Sequence, residues 1–200
     1  MNKKEQVKEN IGNAAMECFE RYGLEKTTLD DIAKTVGLNK TSLYYYYKNK
    51  EDIFIEVAIR EGESFIATLQ KKTLKKKGIE NQISFYLEAR LNYYINVLNM
   101  NKVSVESLDK ILPRFFELYN VMMLQEKLFL TELLQKAVSE EQLNFTDPEK
   151  TASVLINFAN ALKHYTEQQA ILKKQIEIDY SQSLWDTKFL VSLIFNGIRK

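Results

Sequence analysis

Only six glycines and two prolines interrupt 200 residues, and this shortage of chain breakers bounds the fold more than any other feature. Sandwiches and barrels need a turn about every 8–12 residues, and turns draw heavily on Gly and Pro. Here long stretches carry apolar residues at the spacing of an amphipathic helix, and no stretch keeps a period of two between turn signals. The chain reads as all-α. Its length suffices to bury a real core, as one domain or two small ones.

The few breakers fall where helices end. A first helix runs from about Lys4 to Tyr22 with the stripe Val7, Ile11, Ala14, Ala15, Cys18 and Phe19, and Gly23 closes it. Thr27 or Thr28 caps a second helix; Asp31 stands three residues after Thr28, in capping-box position. Gly37 supplies a sharp turn, and Asn39 caps a third helix. Asn49 caps a long fourth helix that reaches the Lys71–Lys77 cluster before Gly78. A fifth spans about Ile79 to Leu98. A short helix from Val103 to Leu112, capped by Ser104, precedes a long one that starts at Pro113 and reaches about Val138. Asp147-Pro148-Glu149 starts another, and a last helix closes the chain. Residues 171–184 carry no assignment. In the last two helices apolar residues sit nearly all round the cylinder, a pattern that requires burial all round and so points to a second subunit.

Between Lys34 and Lys50 lie four lysines (34, 40, 48 and 50) and no acid. At about 100° per residue, Leu43 and Tyr47 of the third helix share one face and turn to the core. Thr41, Tyr44, Tyr45 and Lys48 point away, with Ser42 and Tyr46 on one flank and Lys40 on the other. A face of hydroxyls, flat rings and ammonium groups suits a groove lined with phosphates and base edges. Two short helices joined at Val36-Gly37-Leu38 form a helix-turn-helix pattern. Four consecutive tyrosines could also serve as a stacking platform for single strands, but helix-turn-helix geometry reads duplex.

Composition narrows the remaining classes. The formal net charge is only +1, so any case for nucleic acid must be local. One cysteine excludes an internal disulfide and fits a reducing, cytoplasmic setting. The N-terminal segment lacks the apolar core of a signal peptide, and no apolar run is long enough for a membrane span. Cys18 reads as a small core residue. His164 is the only histidine and cannot build a metal site of the usual kind alone. No Gly-rich phosphate loop, paired metal ligands or Ser/His/Asp arrangement recommends an enzyme. No cofactor is expected.

Residues 11 to 54 resemble the DNA-binding domain of the tetracycline-repressor (TetR) family of bacterial transcriptional regulators. The resemblance is carried by Ala14-Ala15, Phe19, Tyr22-Gly23, Thr28, Ile32-Ala33, Val36-Gly37-Leu38, Ser42-Leu43-Tyr44, Tyr47, Lys50 and Ile53. Tyr47 stands where the family commonly has Phe, and its hydroxyl needs a partner or an exposed edge. The resemblance implies an N-terminal helix-turn-helix DNA-binding domain over 1–50 and a helical effector-binding and dimerisation domain over 51–200. It implies a homodimer joined through the last two long helices that binds double-stranded DNA at a palindromic operator. It also implies repression relieved by a small-molecule effector; the alternative is a DNA-binding factor without one, architectural or regulated by a partner.

By position, Thr28, Tyr44 and Lys50 match the family's phosphate contacts, and Lys40, Thr41, Ser42, Tyr45 and Tyr46 are placed to reach base edges. Thr28 can also act as a plain helix cap, and the two roles are compatible. For the effector the resemblance points to Phe65, Tyr86, Arg90, Tyr94, Phe116, Tyr119 and Met123. An aromatic and Met set at helical spacing also reads as plain core. Arg90 could bind an effector carboxylate or reach solvent along its stem.

Overall fold

The computed structural model describes residues 2–140, 143 and 147–198, apart from the side chains of Phe116, Leu118, Asn120, Val121 and Ile198. Among the described residues lie eight α-helices: α1 (Lys3–Tyr22), α2 (Leu29–Val36), α3 (Lys40–Tyr46), α4 (Lys50–Thr73), α5 (Ile79–Met100), α6 (Val105–Ser139), α7 (Pro148–Leu172) and α8 (Ser181–Ile198). The chain divides into two compact units. One comprises Met1–Gly62 with Ile95–Leu118, the other Glu63–Tyr94 with Tyr119–Lys200.

The first unit is built on a small apolar core. Ile11, Ala15 and Phe19 of α1, Ile32 of α2, Leu43 of α3 and Ile53 of α4 are buried completely. Phe19 meets Phe54 edge to face, with ring centroids 5.9 Å apart. Gly12 allows α4 to lie close on α1: a Cβ there would stand 2.7 Å from Val57 Cγ2. The caps are those the sequence predicts. Asp31 N–H donates to Thr28 Oγ1 at 3.2 Å while Thr28 N–H donates to Asp31 Oδ2 at 2.9 Å. Gly37 adopts the left-handed conformation at φ 74°. Ser42 N–H donates to Asn39 Oδ1, and Asp52 N–H to Asn49 Oδ1.

The segment 103–138 departs from expectation. Pro113 does not begin a helix; it lies inside the continuous α6. A proline there leaves the carbonyl of Asp109 without its helical donor. Both Pro113 and Asp109 are exposed, so water can serve that carbonyl. Leu108, Ile111 and Leu112 are buried and hold the helix through the proline. The start is as expected, with Ser107 N–H donating to Ser104 Oγ at 3.1 Å.

In the second unit Ile83, Tyr86, Leu130, Leu134, Leu155, Ile156, Val191 and Phe195 are buried completely. α7 begins as read, with Lys150 N–H donating to Asp147 Oδ1 at 2.8 Å. The stretch 171–184, unassigned from sequence, holds a turn between two helices. α7 stops at Leu172, Lys174 turns the chain with φ 50°, and α8 starts at Ser181. α8 folds back along α7, where Ser183 Oγ lies 2.6 Å from Thr166 Oγ1.

Candidate nucleic-acid interface

α3 is anchored by Leu43, buried completely, and by Tyr47 at its end, 5% exposed. That anchoring turns Tyr44 (48% exposed) and Tyr45 (74% exposed) outward, and Lys40, Thr41 and Lys48 are exposed with them. Ser42 and Tyr46 are half-buried on the flank. Tyr45 and Tyr46 meet edge to face at 5.1 Å. The Tyr47 hydroxyl finds its partner in Glu56, donating to Oε1 at 3.0 Å.

Two residues on this face are engaged in ways the sequence did not disclose. Lys40 Nζ pairs with Asp30 Oδ2 at 3.0 Å, and the hydrogen bond to that carboxylate holds its ammonium above the ordinary lysine range. The pair is exposed, hence screened by salt and open to exchange for another anion. Lys50 Nζ donates to the carbonyl oxygens of Glu25 at 2.6 Å and Thr27 at 2.8 Å. This bond ties the start of α4 to the α1–α2 loop and keeps the charge beside Thr28. Carbonyls carry no formal charge, and among the described residues no carboxylate pairs with the Lys50 ammonium. Thr28 itself is exposed, and its hydroxyl donates to Asp31 Oδ2 at 2.6 Å. The expected DNA residues Thr28, Lys40, Thr41, Ser42, Tyr44, Tyr45, Tyr46 and Lys50 therefore all lie in the first unit: Thr28 at the start of α2, Lys50 at the start of α4 and the rest on α3.

The residues expected around an effector lie in the second unit, except Phe116, whose side chain lies outside the described residues. Phe65 stacks on Tyr93 with centroids 4.0 Å apart. The others build a buried ionic cluster. Glu126 is fully buried and accepts from Tyr86 Oη at 3.1 Å and Tyr119 Oη at 2.7 Å; Arg90 Nε stands 2.7 Å from it. Arg90 also donates to the Tyr119 hydroxyl and to Asn160 Oδ1, and Asn160 Nδ2 lies 3.1 Å from Met123 Sδ. Arg90 thus turns inward to a carboxylate and does not reach solvent along its stem.

A second carboxylate, Glu167, repeats the pattern. It is buried completely and accepts from Tyr94 Oη at 2.6 Å, Tyr180 Oη at 3.1 Å and Lys163 Nζ at 2.9 Å. Burial pushes the Lys163 ammonium below its ordinary range, and Glu167 opposes that shift. Burial likewise pushes the Tyr94 hydroxyl well up. Sequence reasoning missed Glu126, Glu167 and Lys163. Lys163 and Glu167, four residues apart on α7, could have been read as an ordinary surface pair. His164 Nδ1 lies 3.7 Å from Glu167 Oε2. Among the described residues no group of three or more His, Cys, Asp or Glu is placed to hold a metal ion, and no helix is long and apolar enough to cross a membrane.

A three-helix head that caps, turns and anchors a short helix so that its polar aromatic face is left outward has the geometry of a helix-turn-helix unit. The family described as "Bacterial regulatory proteins, tetR family" matches residues 11–57. The match runs from within α1 to the start of α4. It is 48% identical over 48 residues to the biofilm operon icaADBC HTH-type negative transcriptional regulator IcaR of Staphylococcus epidermidis, a match covering 24% of this chain and 26% of that protein. The shared stretch is thus about a quarter of each. With the HTH-type transcriptional regulator QacR of Staphylococcus aureus it shares 23% identity over 180 residues, covering 82% of this chain and 88% of QacR. The fold matches the crystal structure of a transcriptional regulator from Cytophaga hutchinsonii with a TM-score of 0.72 at 22% identity, covering 96% of this chain and 98% of the other.

Proposed function

We propose that the chain is a homodimeric repressor, working in the cytoplasm and not as an enzyme, whose two heads place α3 in the major grooves of a palindromic operator. The observation that carries this is the outward face of α3, with Thr41, Tyr44 and Tyr45 exposed while Leu43 and Tyr47 hold the helix to the core. Residues 1–50 serve as the DNA-binding domain and 51–200 as the regulatory and dimerisation domain. Thr28, Tyr44 and Lys50 contact phosphates. Lys40 leaves Asp30 to reach a base edge, with Thr41, Ser42, Tyr45 and Tyr46 completing the reading face. IcaR is a negative regulator, which supports repression as the sense of control.

Dimerisation is assigned to α7 and α8. Val154, Phe158, Tyr165 and Leu172 on α7, and Trp185, Phe189 and Leu193 on α8, are exposed in the single chain at intervals that fall on a common stripe of each helix. A small-molecule effector is assigned to the ionic cluster around Arg90 and Glu126, where Tyr86, Tyr119 and Met123 converge, with Tyr94 contributing from the Glu167 cluster. An effector that prefers the state in which that cluster opens shifts the population away from DNA.

A second reading drops the effector. It is favoured by the mutual satisfaction of those same residues, each carboxylate holding its own cation and two tyrosine hydroxyls. Thermal shift against a metabolite and drug panel separates the two. A compound that raises the melting temperature and weakens DNA binding supports the first, and a panel that moves neither supports the second.

The DNA reading is tested on a duplex selected from a random library. Lys50→Ala weakens binding to every duplex and makes the salt dependence shallower by about one unit per head. Lys40→Ala changes which duplexes are preferred. Equal losses on selected and random DNA for Lys40→Ala contradict its base-reading role.

A further inference from the structure

Lys3 and Lys4 occupy the first turn of α1, the end of a helix where a cation is electrostatically unfavourable. Their presence is not explained by the stability of α1. The amides of Lys4 and Glu5 are already taken by Asn2 Oδ1, at 2.7 and 3.1 Å, so it is the side chain of Lys4 that remains for other use. That side chain reaches the recognition helix: Lys4 Nζ stands 5.8 Å from the centroid of the Tyr45 ring, the most exposed ring of the outward face.

Two other cations around α3 are compensated. Lys8 lies over the Tyr47 ring at 4.9 Å but is paired with Glu56 at 2.8 Å. Lys40 is paired with Asp30. Glu5, the acid next to Lys4, accepts from the backbone N–H of Asn2 at 2.9 Å. Among the described residues no carboxylate pairs with Lys4. An exposed ammonium without a counter-ion, one ring away from groups that face the duplex, is the arrangement that binds a backbone phosphate.

We propose that Lys4 is a further DNA contact, taking a phosphate at the edge of the site read by α3 and widening the interface without reading sequence. The inference rests on the proposed DNA-binding role of α3. Because the contact is to backbone, it is measurable on any duplex. The probe is a labelled random-sequence 30-bp duplex, titrated by fluorescence anisotropy between 50 and 200 mM KCl.

With both heads of a dimer engaged, Lys4→Gln makes the slope of log affinity against log salt shallower by about 1.8, or about 0.9 for each phosphate no longer neutralised. Its deficit relative to the unaltered protein is then about tenfold larger at 50 mM than at 200 mM salt. Lys4→Arg keeps the slope. Lys77→Gln, an equal change of charge at an exposed lysine in the other unit, leaves it unchanged. The melting temperature of Lys4→Gln stays at or above that of the parent, since a wrong-sign charge leaves the start of α1. A Lys4→Gln protein with the parental slope overturns the proposal while the role of α3 stands. A parent protein with no salt-dependent affinity for the duplex overturns both.

Discussion

Tyr47 donates its hydroxyl to Glu56 Oε1 at 3.0 Å, across the junction between α3 and the first turns of α4. The other oxygen of Glu56 holds Lys8 at 2.8 Å. One carboxylate thus joins α1, α4 and the end of α3. Tyr47→Phe removes the hydroxyl but leaves the ring packed and Glu56 paired with Lys8. The expected loss is about 1 kcal/mol or less in urea denaturation, with DNA affinity retained. A loss several times larger would mean that the hydroxyl, and not the ring, anchors α3.

The α2 capping box gives a pH dependence. Hydrogen bonds from the Thr28 hydroxyl and amide hold the Asp31 carboxyl below its ordinary range. A carboxyl depressed in the folded state contributes stability that is fully present above its unfolded pKa of about 3.9 and is lost as pH falls through the folded value. Asp31→Ala should therefore cost about 0.3–1 kcal/mol near neutrality. The gap between its melting temperature and the parent's should close as pH falls below the ordinary aspartate range. A gap that persists there assigns the effect to something other than the charge.

Lys163 and Glu167 test the energetics of the buried cluster. Glu167→Ala leaves the Lys163 ammonium buried without its carboxylate and the Tyr94 and Tyr180 hydroxyls without an acceptor. The expected cost is about 3–5 kcal/mol by chemical denaturation. Lys163→Met combined with Glu167→Gln retains an acceptor for both tyrosines and removes both charges, and should recover most of that loss. A double variant as unstable as Glu167→Ala would show that the charges themselves stabilise the fold.

Trp185 and Phe189 stack with centroids 5.2 Å apart on an exposed stretch of α8, and Phe158 is exposed on α7. If these stripes join two chains, Phe158→Glu and Trp185→Glu each convert a dimer to a monomer in sedimentation velocity while helix content is kept. Operator binding then falls at least a hundredfold, because two linked heads act as one bivalent ligand. Variants that remain dimeric place the interface elsewhere.

The head was legible because its signals are local. Thr28 with Asp31, Gly37 and Asn39 are cap and turn residues whose chemistry acts within four positions, and the angles of Leu43 and Tyr47 follow from helix geometry alone. What the sequence hid depends on partners distant in the chain. Nothing near Lys40 announces Asp30, and nothing near Arg90 announces Glu126, 36 positions away. Pro113 misled because a proline usually opens a helix; here burial of Leu108, Ile111 and Leu112 outweighs the lost bond. The end of α7 escaped notice because Lys174, and not a glycine, takes the positive φ.

Function turns on whether a symmetric pair of α3 faces meets duplex DNA. Selection from a random duplex library, followed by sedimentation of the protein on the winning sequence, tests this most directly. The expected result is a palindromic site with half-sites about one helical turn apart, bound by an even number of chains, and lost when Tyr45→Ala and Lys50→Ala are combined. Enrichment of no sequence, or of an asymmetric site bound by a single chain and indifferent to those two substitutions, would contradict it.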